Sequence, residues 1–228
     1  MAIPIVFDLE TLAMPRDLWF DLSGREPATS EAEQADEEKA YRQSWFDGSY
    51  CRIVCIGALI DPHGANPVAA AWYGNNERGI LEGFWNTLNA IRSPLQYQAH
   101  NGFGFDLPVL QKRSIIHAIP APRYPSMARY RQDAVYDTME VWTNWQSTQR
   151  IKLNTLARIL NVPTKSGKGS EVADMWQAGA RQAVAEYCLR DVYVTYACAQ
   201  RMQLGEVRPL EYFLEHQALH DCDKEPVL

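Results

Sequence analysis

Four carboxylates in three segments of the chain are the residues best suited to chemistry. Asp8 and Glu10 form a D-x-E triplet directly after the apolar run of residues 3–7. On a β-strand, residues i and i+2 face the same side, so both carboxylates project together from a strand end. Residues 36–38 and 223–225 have the same spacing but follow no apolar run. The alternative is a pair of solvated acids at the end of a strand.

The third carboxylate, Asp106, follows the polar, glycine-rich stretch His-Asn-Gly-Phe-Gly-Phe of residues 100–105, which we call the motif-two loop. Pro108 suits the first turn of a helix, so the pattern predicts that a helix begins at Asp106. A loop after a strand can deliver such a carboxylate to a site. Asp is also a favoured N-cap residue, so a capping role is the alternative.

The fourth carboxylate, Asp191, lies four residues after Tyr187 in residues 180–203, a stretch free of Gly and Pro. In a helix this spacing places both side chains on one face. Apolar residues on or near that face predict that it points to the core, where an acid needs a partner; they are Ala183, Val184, Val194 and Cys198. A buried Tyr–Asp hydrogen bond is the alternative.

Taken together, the carboxylates predict a metal site. Gathering four acids is costly without cations, because like charges raise each other's pKa. Ligation by oxygen alone suits Mg²⁺ or Mn²⁺ rather than zinc. Two such ions about 3.5–4 Å apart can stabilise both the attacking and the leaving oxygen of a phosphodiester.

Hydrophobic periodicity predicts the elements that position these side chains. Strands are predicted at residues 3–7, 52–60, 67–73 and 95–99. Helices are predicted at residues 77–91, from 106, and at 137–146, 153–161 and 180–203. Three early strands can form a meander and the fourth needs a helical crossover, which indicates a mixed sheet in the α/β class.

Length and charge favour one domain with an insertion. The 228 residues suit a single domain, residues 1–228, with an exposed insertion at about residues 13–50. The insertion carries nine acids and four bases, or −5, so the rest of the chain is −6 − (−5) = −1. Binding of two divalent cations would bring that body to about +3. The acidic total therefore does not exclude a nucleic-acid substrate.

The cysteines and the apolar runs indicate a cytoplasmic protein. The five cysteines form no C-x-x-C pair, so buried thiols in a reducing compartment are expected. No apolar run approaches about 18 residues, the length needed to span a membrane. The strand-like N-terminus lacks a basic region, so we expect no signal peptide.

In order along the chain, the motifs resemble those of a known superfamily. Asp-x-Glu-Thr at 8–11, Asn-x-x-x-Phe-Asp at 101–106 and Tyr-x-x-x-Asp at 187–191 resemble the three motifs of the DEDD 3′→5′ exonucleases, tyrosine-type branch. The chain is similar in particular to the exonuclease family related to the proofreading domain of family-B DNA polymerases. Asp137-Thr-Met-Glu, Pro163-Thr-Lys165 and Gly169-Ser-x-Val172 extend the likeness. The insertion has no counterpart in it.

This resemblance implies a ribonuclease H-like fold with a mixed five-stranded sheet flanked by helices. It also implies that two divalent cations assist hydrolysis of the terminal phosphodiester of DNA, releasing nucleoside 5′-monophosphates. Asp8 would bridge both cations, Glu10 and Asp191 would complete the nucleophile-side site, and Asp106 would hold the second cation. Tyr187 would orient the attacking water.

The resemblance implies substrate contacts as well. Thr11 and Leu12 would lie against the terminal nucleotide, and Asn101 and Phe105 would contact the neighbouring phosphate or sugar. A structural role is the alternative for each of these four. Lys165 lies in a loop near the last motif, where it is either a phosphate contact or plainly solvated. Single-stranded or frayed 3′ ends are the expected substrate, and the insertion is a possible contact for a protein partner.

Other functions and residues stay open. An exoribonuclease, or a non-catalytic module that binds nucleic acid or protein on the same fold, is the alternative function. His216 and His220 have i, i+4 spacing on a predicted helix, where a solvated face is favoured over a metal pair. Three tryptophans are suited to stacking on bases, with packing as the favoured alternative; they are Trp142, Trp145 and Trp176.

Overall fold

The computed structural model describes residues 2–164, 171–215 and 217–224, which form one sheet of six strands in the order β5-β4-β1-β2-β3-β6. The strands are β1 (Ile3–Ala13), β2 (Cys51–Ile60), β3 (Val68–Tyr73), β4 (Leu95–Ala99), β5 (Val135–Asp137) and β6 (Ala218–Asp221). The first three are antiparallel neighbours, and β4, β5 and β6 each pair in parallel with a neighbouring strand. The predicted α/β class with a mixed sheet flanked by helices is confirmed.

The predicted number of strands, five, is wrong by one, because β6 adds to the free edge of β3. We predicted a helix for His220, but it lies in β6 and its ring stacks on Trp72 with centroids 5.5 Å apart. His216, the other half of that predicted pair, lies outside the described residues. A four-residue edge strand is stabilised mainly by its neighbour, so its own sequence carries little β signal.

Helices cover both faces of the sheet. In the described part of the chain they are α1 (Arg16–Ser23), α2 (Glu31–Ser44), α3 (Glu77–Asn89), α4 (Asp106–Ile116), α5 (Thr138–Trp142), α6 (Leu153–Ile159), α7 (Glu171–Gln177), α8 (Arg181–Met202) and α9 (Leu210–Leu214). Apolar residues of α3 and α4 pack on one face, and α8 packs on the other with α5, α6 and α7 against it. None of the described helices combines the length and the apolar character needed to cross a bilayer.

Alternation along β1 separates its core residues from its acids. Ile5, Phe7 and Leu9 are buried in the apolar cluster beneath α3 and α4. Successive residues of a strand point to opposite faces. Asp8 and Glu10 therefore face α8, on the other side of the sheet.

The segment between β1 and β2 folds into helices α1 and α2, which share a small apolar contact of their own. Trp19 is only 2% exposed, and its ring lies 5.3 Å from that of Tyr41. Ser30 and Glu33 form a capping box at the start of α2, which explains why this acidic stretch is helical. Arg16 pairs with Glu37 at 2.9 Å, a contact that ties α1 to α2.

The end of this segment packs against α4. Asp47 accepts a hydrogen bond from the Lys112 ammonium at 2.5 Å. A side-chain carbon on Gly48 would lie 3.0 Å from both Val109 and Lys112, so the chain passes close to the helix here. The ring of Phe46 stands edge-on to Phe105, with centroids 6.0 Å apart. The segment therefore ends beside the motif-two loop.

Candidate active site

Asp8 and Glu10 lie side by side at the α8 face of β1. A carboxylate oxygen of each, together with the Sγ of Cys188, lies within 4.8 Å of the others. Asp8 is half-buried and Glu10 is buried. Carboxylate oxygens this close can share a divalent cation, which would offset their mutual repulsion.

A β-bulge lies beside these carboxylates. Glu10 pairs with Cys55 but Thr11 pairs with Ile53, so Val54 is an extra residue of β2. Val54 and Cys55, although consecutive, both belong to the buried cluster against α8. Bulges bend a strand and re-aim its side chains, and they are common next to active sites. Here the bulged strand is β2, and the bulge lies opposite the step from Glu10 to Thr11.

Asp106 reaches these acids from the start of α4. Because β1 continues to Ala13, the two acids lie within the strand and not at its end as predicted. Its Oδ1 accepts a hydrogen bond from the backbone N–H of Leu9 at 3.2 Å, between the two acids of β1. That N–H is available because β4 pairs with β1 only as far as Val6. The N-cap position of α4 is Phe105, and no side chain caps it. The alternative of a capping role for Asp106 therefore does not match the structure.

The charge of Asp106 is poorly compensated by the protein. Burial raises its pKa well above the ordinary value, and the carboxylates of Asp8 and Asp137 raise it further. Asp106 is only 2% exposed, so water screens it little. A cation at this position would favour the ionised form.

Asp137 fixes the motif-two loop. Its carboxylate accepts backbone N–H bonds from Asn101 and Phe103, each at 3.0 Å, and from Met139 and Glu140 at 3.0 and 3.3 Å. It is fully buried, which raises its pKa even though these four bonds act in the opposite direction. One side chain thereby joins the loop before Asp106 to the start of α5.

His100 anchors the other end of the loop. Its Nδ1 lies 2.9 Å from the Thr138 hydroxyl, and its Nε2 lies 2.9 Å from the Ile151 carbonyl oxygen. Both ring nitrogens therefore contact segments that follow β5. This arrangement makes His100 a positioning residue for the loop.

Tyr187 and Asp191 are both buried on α8, at 6% and 4% exposure. Their helix is held against β1 by Cys188, whose Sγ lies 3.5 Å from the Asp8 carbonyl oxygen. Gly57, which pairs with Asp8, permits this approach because a side-chain carbon there would lie 2.8 Å from that sulfur. The last motif is thus packed directly over the first.

Cys188 is placed near the acids but is not suited to binding a hard cation. Burial raises its pKa well above the ordinary value, and the neighbouring Cys55 thiol and the acids of β1 act in the same direction. Thiolates are soft ligands, which suit zinc or copper rather than Mg²⁺ or Mn²⁺. Cys188 is therefore a packing residue between α8 and β1, one of four cysteines that are buried free thiols.

The proposed substrate residues occupy different positions around the acids. Thr11 and Leu12 are half-buried at the end of β1, and Leu12 packs against the cluster beneath α8. Asn101 adopts φ +66°, a left-handed conformation that Asn tolerates. Phe105 is half-buried and contacts Phe46, while Lys165 lies outside the described residues.

Sequence reasoning placed none of three neighbouring residues at the site: Asp137, which served only in the resemblance, Cys188, which was expected only as a buried thiol, and Phe46. An Asp before Thr-Met-Glu at a helix start is a recognisable N-cap signal, and Asp137 does cap α5. The bonds from Asp137 to the motif-two loop join residues more than thirty positions apart. No local sequence pattern predicts contacts between residues so far apart in the chain.

Comparison with known proteins gives one family. A model described as a predicted 3′-5′ exonuclease related to the exonuclease domain of PolB matches residues 43–222. That span contains Asp106, Tyr187 and Asp191, and it begins after Asp8 and Glu10. A search of curated proteins found no match.

Among solved structures, a family B DNA polymerase from the hyperthermophilic archaeon Pyrobaculum calidifontis is similar in fold. The TM-score is 0.59 at 17% sequence identity, and the match covers 89% of this chain. It covers 25% of the polymerase chain, so the present chain spans about a quarter of that protein. At this identity the likeness shows a shared fold.

Proposed function

The chain belongs to the family of predicted 3′-5′ exonucleases related to the exonuclease domain of PolB, and from that premise we propose that it hydrolyses the terminal phosphodiester of DNA in a metal-dependent reaction. One observation carries the proposal: the Asp106 carboxylate bonds to the backbone N–H between Asp8 and Glu10. Acids from two distant segments thereby meet at β1, beneath the helix that carries Asp191.

We propose that the site binds two divalent cations, Mg²⁺ or Mn²⁺. Oxygens of Asp8 and Glu10 lie within 4.8 Å of each other, and such hard oxygen ligands are those these ions prefer. The residues proposed to hold the cations are Asp8, Glu10, Asp106 and Asp191. When bound, the ions would stabilise the negative charge that develops on the attacking and leaving oxygens.

Protein groups would orient the reactants. The Tyr187 hydroxyl would position the attacking water, a contribution worth at most roughly 10²–10⁴-fold in rate. Water attacks phosphorus, the bond to the 3′-oxygen of the preceding nucleotide breaks, and that oxygen takes a proton. The product is a nucleoside 5′-monophosphate. Asp137 and His100 would act indirectly, by holding the loop that delivers Asp106.

The terminal nucleotides would lie between the first two motifs. We place Thr11 and Leu12 against the last nucleotide, since they follow Glu10 on the same strand. Asn101 and Phe105 would contact the neighbouring phosphate or sugar, and Lys165 would contact a phosphate. Leu12 would wedge against the last base, and unstacking that base costs a few kcal/mol in a duplex and less at a frayed end. Single-stranded or frayed 3′ ends are therefore the preferred substrate.

Two measurements together test the proposal: the direction in which a strand is degraded, and the rates on single-stranded and paired DNA. A 5′-labelled single strand should give a descending ladder with Mg²⁺ or Mn²⁺, and a closed circle should stay intact. Initial rates should fall from single-stranded, through 3′-mismatched, to fully paired DNA. Cutting of the circle would rule out an exonuclease, whereas faster decay of a matched RNA would assign the enzyme to RNA.

We propose that residues 1–228 form one exonuclease domain in which residues 13–50 are an insertion at its rim, free to contact a protein partner. The insertion carries a charge of −5, which would repel a polyanion if the insertion lay across the substrate path, and this supports a position at the rim. The local contact of Trp19 with Tyr41 supports a self-contained unit. Replacing residues 16–44 with a short Gly-Ser linker should leave a cooperatively folded protein by circular dichroism. A soluble but unfolded product would show that the insertion belongs to the core.

A further inference from the structure

A series of three aromatic rings runs from the motif-two loop to solvent, through the half-buried Trp145, which packs against the core cluster. The ring of Phe103, buried within the loop, lies 5.2 Å from that of Trp145. Trp145 in turn lies 5.1 Å from Tyr130, which is 73% exposed. Neighbouring rings are tilted by 58° and 53°, and the buried end of the series is three residues from Asp106.

The residues that carry the two outer rings, Tyr130 and Trp145, have an unfavourable backbone conformation. Tyr130 has φ +66° and Trp145 has φ +62°, in the left-handed region that bulky side chains rarely adopt. The Trp145 N–H donates to the Glu140 carbonyl at 2.9 Å, which fixes the turn after α5. Such conformations persist only where the surroundings enforce them, and they cluster at ligand-binding sites.

Exposed basic residues neighbour the aromatic series in sequence. Exposed Arg129 and Arg131 flank Tyr130, and exposed Arg150 and Lys152 flank Ile151, whose carbonyl contacts His100 of the motif-two loop. Residues 121–152 hold five bases and three acids, 5 − 3 = +2, although the whole chain carries −6. Arg131 pairs with Asp133 at 2.8 Å, but both side chains are more than 60% exposed. The local charge therefore favours a polyanion.

We infer that Tyr130 and Trp145 form a stacking platform for unpaired bases on the 5′ side of the scissile bond. The inference rests on the proposed function, because the strand's 3′ end must lie at the carboxylates beyond the motif-two loop. Aromatic rings bind bases of any sequence, but only when those bases are unstacked from a partner strand. Arg129, Arg150 and Lys152 contact the phosphates between the stacked bases. The platform thus gives the enzyme its affinity for single strands.

Binding without hydrolysis tests the platform. Fluorescence anisotropy in EDTA, with labelled oligodeoxythymidine and oligouridine strands of about 12 nucleotides, gives the Kd directly. Tyr130→Ala should raise the Kd about tenfold, since one stacked base is lost. Tyr130→Phe keeps the ring and should bind like the wild type. Tyr212→Ala, at a half-exposed tyrosine of α9, is the matched control and should leave the Kd unchanged.

The outcomes separate the platform from the proposed function. Equal Kd values for Tyr130→Ala and the wild type, or equal affinity for blunt duplex and single strand, would overturn the platform even if the enzyme degrades DNA. A Kd that depends on Tyr130 would support the platform even if no strand were hydrolysed with Mg²⁺. Whichever strand has the lower Kd, DNA or RNA, identifies the sugar of the preferred ligand.

Discussion

The substitution Gly57→Ala tests whether the close packing of α8 on the sheet sets the position of the last motif. Gly57 pairs with Asp8 across the strands, and the added carbon would lie 2.8 Å from the Cys188 Sγ and 3.3 Å from the Val192 side chain. Neither side chain can rotate away easily, because both are fully buried. The helix itself must therefore retreat from β1 and β2.

The size of the effect follows from these distances. Ordinary contacts between such atoms are about 3.5 Å or more, so α8 must move by about 3.5 − 2.8 = 0.7 Å. Overpacking of this kind costs about 1–3 kcal/mol of stability. A misplacement of about 1 Å at a catalytic group can cost about 10²-fold in rate. We expect kcat/KM on a single-stranded substrate to fall about 10- to 100-fold while the protein stays folded.

The assay compares kcat/KM with the free energy of unfolding in urea for each variant. The double variant Gly57→Ala/Cys188→Ala removes the clashing sulfur and should recover most of the lost activity. Gly24→Ala is the matched control: its φ of +64° makes alanine unfavourable by about 1–2 kcal/mol, but it ends α1, far along the insertion. Wild-type kcat/KM for Gly57→Ala, or no recovery in the double variant, would refute the argument.

Two further predictions concern buried carboxylates. Burial tends to raise the pKa of Glu77, but bonds from Arg113, from the Ile53 N–H and from His117 outweigh it and hold that pKa below 4.5. A lowered pKa stabilises the fold above pH 4.5 and loses that effect as pH falls through the folded-state value. Glu77→Gln should therefore cost about 3 kcal/mol at neutral pH, with the difference closing in acid. In Asp137→Asn the Phe103 N–H faces the side-chain amide instead of a carboxylate oxygen, so the fold should lose about 1–3 kcal/mol of stability. The same change should speed amide hydrogen exchange in residues 100–105 and lower kcat.

For each of these two predictions, one measured outcome would contradict it directly. A difference in unfolding free energy between Glu77→Gln and the wild type that is constant from neutral to acid pH would show that Glu77 does not titrate as described. Asp133→Asn, at an exposed acid paired with Arg131, is the control for Asp137→Asn and should leave exchange unchanged. Unaltered exchange in both variants would mean that other contacts hold the loop.

Local spacing predicted the long elements well. The i, i+2 pattern of β1 places Asp8 and Glu10 on one face, and their oxygens do lie together. The bounds predicted for β4, residues 95–99, match the structure. The i, i+4 relation of Tyr187 and Asp191 lies within α8, whose predicted limits differ by one residue at each end. Sequence reasoning suffices where the residue spacing within one strand or helix decides which side chains share a face.

Contacts between distant segments were beyond such reasoning. The edge strands β5 and β6 have three and four residues and depend on their neighbours for pairing. Asp106 bonds to an N–H 97 residues away, which decides against a capping role that the sequence alone left open. The bulge at Val54 likewise depends on how two strands pair, since its residues show no break in apolar character.

The central claim is that the acids of β1 bind the cations that hydrolysis requires. The most direct measurement is release of nucleotides from a 5′-labelled single strand, by wild type and Asp8→Ala, over a titration of Mn²⁺ after EDTA. Asp36→Ala, in the D-x-E triplet of α2, is the matched control and should behave as wild type. Wild type should be inactive in EDTA and recover with Mn²⁺, and Asp8→Ala should stay at least about 10³-fold slower at every concentration. Full activity in EDTA, or wild-type turnover by Asp8→Ala, would contradict the account.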